Sequence, residues 1–217
     1  PVRNSITMLD SEYESLLFDT YIAEAGLTAE EEGFDAVVMD TVSDSGLGAL
    51  RSRMTIPVIA PGLVAYTVAI TLGKKFSIIT MWDKWNFFYE KNLALYNLRN
   101  KCASIRAVNI PPEVETLFEG KEEEMFQKLT DEAQKAVDED GADCILLGST
   151  TMHQAGEYMQ KNLDAQVINP GPVAIKMAEA IVALGLSHSK VAWPSPGTLQ
   201  DEKYFSLMDV EGNPRAS

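Results

Sequence analysis

Cysteine is scarce in this chain. Its 217 residues contain two, Cys102 and Cys144, both in apolar strand-like contexts. A disulfide framework is therefore not expected, and a reducing, cytoplasmic setting fits better. Histidine is as rare, with only His153 and His188, and no Cys-x-x-Cys or His-x-x-x-His pair offers a metal site. Basic residues are also short: 18 Lys and Arg stand against 32 Asp and Glu, a net charge of −14. The average surface therefore repels a phosphate backbone, and nucleic acid is not an expected partner. No glycine-rich phosphate loop of the dinucleotide or Walker type occurs, so a nucleotide cofactor has no motif behind it. The chain opens at Pro1 with no basic stretch leading into an apolar one, so no secretory signal is expected. Residues 54–73 carry no charge, but Pro57, Pro61 and Gly62 interrupt them, which predicts strand, loop and helix rather than a membrane span. With 46% hydrophobic and 23% charged residues, the composition is that of an ordinary folded protein, and disorder is excluded as the main state.

What the chain does contain is an internal repeat. Gly33-Phe-Asp-Ala-Val-Val-Met-Asp-Thr41 and Gly141-Ala-Asp-Cys-Ile-Leu-Leu-Gly-Ser149 share a Gly, an Asp two residues later and a hydroxyl residue eight later, around a short apolar run. Further on, Ile59-Ala-Pro-Gly62 echoes Ile168-Asn-Pro-Gly171, and each precedes an apolar helix. Each half reads strand, hydroxyl-bearing loop, helix, strand, Pro-Gly, helix, the alternation that builds a parallel sheet. Between the halves, residues 76–80 predict a buried strand, 84–98 a helix and 104–110 a strand ended by Pro111-Pro112. Residues 121–139 predict an amphipathic helix whose stripe of Met125, Phe126, Leu129, Ala133 and Ala136 is core. The expected fold is α/β, with two pseudo-symmetric lobes, each a short parallel sheet flanked by helices. They span residues 1–75 with 186–217 and residues 76–185, with an active-site cleft between them. Trp82, Trp85, Phe87, Phe88 and Tyr89 exceed what one core-facing stripe needs, so a homo-oligomer is expected.

In parallel α/β sheets, ligands bind beyond the carboxyl ends of strands, where helix N-termini present free N–H groups. Thr41-Val-Ser43 and Ser149-Thr-Thr151 both fall there. Such loops suit a small carboxylate or imide.

The order of these motifs resembles the aspartate/glutamate/hydantoin racemase superfamily, in its hydantoin/allantoin racemase-like branch. Residues 8–14 are similar to the stretch before the family's first long helix, 33–47 and 141–152 to its two catalytic loops, and 167–190 to its closing helix and turn. The resemblance implies a cofactor-independent enzyme acting at the α-carbon of a small carboxylate, hydantoin or related imide. It also implies one cysteine on each loop, the two thiols serving as acid and base, and here those positions hold Thr41 and Ser149. An alkyl hydroxyl is not ionised at neutral pH as a thiol can be, so two-thiol racemisation is excluded. Three accounts of the departure stand: another reaction on the same scaffold, an engineered Cys-to-Ser change, or a non-catalytic small-anion binder. Family members that lack one cysteine include decarboxylases, so the resemblance keeps a lyase open beside an isomerase. By the same resemblance Ser43, Thr80 and Thr150 match substrate-binding hydroxyls, and the family's first strand and substrate loop fall before or at residues 1–4.

For an acid or base within the chain, His153 stands four residues after Ser149, a spacing that brings the two side chains together if a helix starts near Thr150. It would then deprotonate Ser149, giving a serine hydrolase, or protonate a carbanion. Asp40, at the end of a buried strand, is a further candidate; Asp44 reads as a cap, and His188 as a surface residue. The expected site is thus Thr41, Ser149 and His153 for chemistry, with Ser43, Thr80 and Thr150 for binding.

Overall fold

The computed structural model describes residues 9–110 and 122–208. The substrate loop expected at residues 1–4, the start of the first family-like stretch at Met8 and the strand end expected at Pro111 lie outside them. In chain order the elements are α1 (Glu12–Gly26), β1 (Val37–Val38), α2 (Leu47–Arg53), β2 (Val58–Ile59), α3 (Pro61–Leu72), β3 (Phe76–Thr80), α4 (Asn86–Leu95) and β4 (Cys102–Ala107). There follow α5 (Glu122–Asp140), β5 (Cys144–Leu147), α6 (His153–Asn162), β6 (Gln166–Ile168), α7 (Pro170–Ala183) and α8 (Asp201–Met208). The fold is α/β with short parallel sheets flanked by helices. Local signals account for the boundaries. Ser11 accepts a hydrogen bond from the Glu14 amide, and the Glu14 carboxylate accepts from the Ser11 hydroxyl and the Asp10 amide, an N-cap that starts α1. Gly33 and Gly141, the glycines that open the repeat, both turn the chain at positive φ, 83° and 75°.

The described chain divides into two compact units. The first takes residues up to Met39, Ser45–Ile59 and from Ala178 onward. In it β1 and β2 pair in parallel, Val37 opposite Val58 and Val38 opposite Ile59. Arg53 of α2 grips Asp201 of α8 through Nε and Nη2, at 2.9 and 2.8 Å.

The second unit comprises Asp40–Asp44 and Ala60–Met177. Its parallel sheet has the order β4-β3-β5-β6. Both faces are covered, and the side chains divide with the pleat. Phe76 and Ile78 of β3 and Leu146 of β5 join Tyr66, Ala69 and Leu93 in one core, while Ile79, Ile145 and Leu147 join Leu129, Ala133 and Met159 in the other. Helix α3, assigned to the first lobe from sequence, packs on β3, β5 and β6 because Tyr66 and Ala69 complete the first of these cores. Of the surplus aromatics, Phe88 and Tyr89 are buried and Trp82, Trp85 and Phe87 are half-buried. Among the described residues no helix is long and apolar enough to cross a membrane, and no three His, Cys, Asp or Glu side chains gather as metal ligands.

The repeat survives as identical strand register. Val37 opposite Val58 and Val38 opposite Ile59 correspond to Ile145 opposite Val167 and Leu146 opposite Ile168.

Candidate active site

Both hydroxyl loops fall in the second unit, and they have the same local structure. Thr41 Oγ1 lies 2.7 Å from Ser43 Oγ and accepts from the Ser43 amide at 3.3 Å. Ser149 Oγ lies 2.9 Å from Thr151 Oγ1 and accepts from the Thr151 amide at 3.3 Å. In each loop the amide three residues on, Asp44 or Met152, points back to the first residue's carbonyl. These are two copies of a hydroxyl turn in which a side chain caps the backbone two residues later. Thr150 Oγ1 joins them, donating to the Asp40 carbonyl at 3.2 Å. Thr41, Ser43, Ser149 and Thr150 are half-buried, so both turns reach solvent.

The remaining candidates are placed differently from expectation. Thr80 is fully buried. Its hydroxyl sits 2.9 Å from Tyr89 Oη, and Tyr89 donates its single hydroxyl hydrogen to the Gly148 carbonyl at 2.7 Å, so Thr80 is the donor in their bond. Thr80 therefore ties β3 to α4, and Tyr89 in turn ties α4 to Gly148, the residue before Ser149. His153 does not bond to Ser149, because Ser149 caps the short turn Thr150–Met152 and finds Thr151 instead. The imidazole is exposed at the head of α6, and the His153 carbonyl accepts from the Asn169 amide. Asp40 is exposed rather than buried, so the carboxylate needs no buried partner. His188 is half-buried in the first unit, with Nε2 2.9 Å from the Met54 carbonyl, so its surface reading gives way to a structural one.

Asp44 is a cap, but of a distant helix. Its carboxylate accepts from the Gly62 and Leu63 amides at the N-terminus of α3, both at 2.8 Å, and from Tyr96 Oη at 2.8 Å. An anion there complements the helix dipole. Gly62 is needed for the approach, since a Cβ on it would lie 2.8 Å from both carboxylate oxygens. Sequence reasoning missed Tyr89, Asn92 and Tyr96, whose spacing of three and four within an aromatic helix was the available signal.

Burial pushes the pKa of the Cys102 thiol up to about 12 and raises that of Cys144 as well, and both are buried in the core against β3.

The profile of the Asp/Glu/Hydantoin racemase family matches residues 3–178. Hydantoin racemase of Rhizobium meliloti is 33% identical over 162 residues, 75% of this chain and 66% of that protein. Hydantoin racemase of Pseudomonas sp. (strain NS671) is 31% identical over 183 residues, 84% of this chain and 72% of that protein. Among solved structures, allantoin racemase from Klebsiella pneumoniae superposes with a TM-score of 0.81 at 27% identity, covering 91% of this chain and 81% of that one. The match extends across the repeat, both hydroxyl turns and the strands that carry them, and the chain belongs to the Asp/Glu/hydantoin racemase family.

Proposed function

We propose that the chain is an isomerase-type enzyme, working without metal or organic cofactor, that moves a proton at the α-carbon of a hydantoin or related cyclic imide. The observation that carries this reading is the pair of equivalent hydroxyl turns, Thr41–Ser43 and Ser149–Thr151, joined through Thr150 and Asp40. Residues 40–44 and 148–152 contain no Lys or Arg, so a neutral ring with carbonyl acceptors and N–H donors suits them better than a carboxylate. The names of the relatives, hydantoin and allantoin racemases, support the same substrate class.

The ring carbonyl beside the α-carbon acidifies its proton, and hydroxyl donors from the Thr41 and Ser149 turns stabilise the enolate oxygen as charge develops, while Thr150, whose hydrogen goes to the Asp40 carbonyl, holds the turns together. The hydroxyls are not the base, since they are not ionised at neutral pH. That role goes to His153, which removes the proton from one face of the ring, while water delivers a proton to the opposite face and the imidazolium gives its own back to solvent. In D₂O with a 5-monosubstituted hydantoin, NMR should show deuterium entering the α-position. His153→Gln should abolish that exchange, and Ser149→Ala should weaken it. Release of CO₂ or ring opening without exchange would instead place a lyase or hydrolase on this scaffold.

A second reading, a binder without turnover, is favoured by one fact: among the described residues no imidazole, carboxylate or thiol hydrogen-bonds to the Thr41 or Ser149 hydroxyl. It predicts that hydantoins raise the melting temperature while no exchange occurs. Saturation at a hundredfold excess over Kd would stabilise the fold by about 2.7 kcal/mol.

A further inference from the structure

Helix α4 reaches both hydroxyl turns. Tyr89, Asn92 and Tyr96 follow at spacings of three and four, so they lie along one face of α4 and its C-terminal cap. At one end Tyr89 Oη donates to the carbonyl of Gly148, the residue before Ser149, at 2.7 Å. In the middle Asn92 Nδ2 donates to the carbonyls of Val42 at 3.2 Å and Ser43 at 3.0 Å, inside the other turn. At the far end Tyr96 Oη donates to Asp44, which closes that turn.

We propose that this face is the positioning element of the site: Tyr89, Asn92 and Tyr96 set the two turns at a fixed spacing, so that hydroxyls from both meet one small molecule. The proposal rests on the turns being the substrate site. Its argument is in where the bonds go. All three side chains place their donor hydrogens on backbone carbonyls or on the Asp44 cap. The brace therefore grips the backbone on which the turn hydroxyls are mounted. Tyr89 and Asn92 are 2% and 3% exposed. At such depth Phe and Leu would fill the same space at lower desolvation cost, and the polar groups are useful only through the carbonyls they hold. The Gly148 end is closely fitted, since a Cβ on Gly148 would come within 2.5 Å of Tyr89 Oη. A shift of α4 would thus be felt at both turns together.

The test uses the full chain with Asn92→Leu and Tyr89→Phe. Amide hydrogen exchange by NMR reads the brace without any substrate. Asn92→Leu should speed exchange of the Asp44 amide about tenfold and Tyr89→Phe that of the Met152 amide about tenfold, as each turn loses a buried bond. Amides of Ile78 and Ile145, inside the sheet, should keep parental rates. On a hydantoin substrate both variants should lower kcat about tenfold and leave KM within about twofold, because misplaced turns still bind but no longer converge on the reacting atoms. Should Asn92→Leu fail to fold, Tyr96→Phe removes one hydroxyl from a half-buried ring and should speed the Asp44 amide in the same direction. Parental exchange at Asp44 and Met152 would overturn the proposal, and so would acceleration spread equally over the sheet amides. If the parent turns over no hydantoin, the functional reading fails while the amide rates still judge the brace.

Discussion

Replacing Asp44 by Asn isolates one charge in the frame that carries the Thr41 turn. Asp44 sits at φ 54°, in the left-handed region, where Asn is tolerated as well as Asp, so the backbone is not strained by the exchange. Side-chain volume is nearly unchanged. What changes is acceptor capacity. The carboxylate uses one oxygen for the Gly62 amide and the other for both the Leu63 amide and Tyr96. An Asn oxygen in the second position keeps Leu63 and Tyr96, and its NH₂ then faces the Gly62 N–H, donor against donor. The opposite flip keeps Gly62 and lets Tyr96 Oη turn to accept from the NH₂, but sets that NH₂ against the Leu63 N–H. The favoured arrangement loses one charge-assisted bond, leaves a buried N–H unpaired, neutralises the other two bonds and removes the anion from the helix terminus. Together these amount to roughly 3 kcal/mol. For a chain of this length that lowers Tm by roughly 6–12 °C. Asp44→Ala should be worse, since it loses the bonds to Gly62, Leu63 and Tyr96 and also adds the left-handed penalty of about 1–2 kcal/mol. Differential scanning calorimetry with urea midpoints as a cross-check measures both. An Asn variant melting within about 2 °C of the parent, or an Ala variant no worse than Asn, would refute the assignment of Asp44 as the cap of α3.

Other outcomes follow from the same geometry. Iodoacetamide at pH 8 should label neither cysteine of the folded protein and both in urea, read by mass, and hydantoin turnover should be indifferent to the reagent; labelling of native Cys102 would contradict its burial and raised pKa. Gly148→Ala should cost about 1–3 kcal/mol by overpacking, since its Cβ would meet Tyr89 Oη at 2.5 Å and Thr80 Cβ at 2.9 Å, and a parental urea midpoint would count against that contact. Burial, with Lys190 and Arg51 adding repulsion, holds the His188 pKa below its ordinary 6.5. The folded state therefore binds this proton more weakly than the unfolded one, so the stability His188 confers is complete above about pH 6.5 and is lost as pH falls through the lower folded value. His188→Gln should flatten the acid side of the urea midpoint between pH 5 and 7, and an unchanged slope would remove His188 as its source. Thr41→Cys with Ser149→Cys should raise α-deuterium exchange above the parent's, because thiols can supply the acid and base that the hydroxyls lack; a double variant that binds hydantoins but exchanges no faster would show that the turns do not flank the α-carbon.

Much of this protein is legible along the chain because its determinants are local. The apolar runs 36–39 and 144–147, their leading glycines and the Pro-Gly steps at 61 and 170 specify strands, left-handed turns and helix starts over a few residues each. Repetition at matching offsets then implied two equivalent strand pairs, and the register agrees. The same pattern located both hydroxyl turns, since a strand end followed by a helix leaves free amides that a Thr or Ser can cap. Partnerships across long sequence separations were not legible. Ser149 at four residues from His153 fits helical spacing, but a short turn of a tighter kind intervenes and delivers Thr151 instead. Thr80 has the residue type of a binding hydroxyl, yet pairing of β3 between β4 and β5 buries it on Tyr89. Asp44 has the signature of a local cap, while its carboxylate serves α3 eighteen residues on. A side chain's type and neighbours in sequence restrict what it can bond to. Which donor or acceptor it meets is decided when strands and helices distant in the chain pack together, because buried polar groups take the partners that packing brings within about 3 Å.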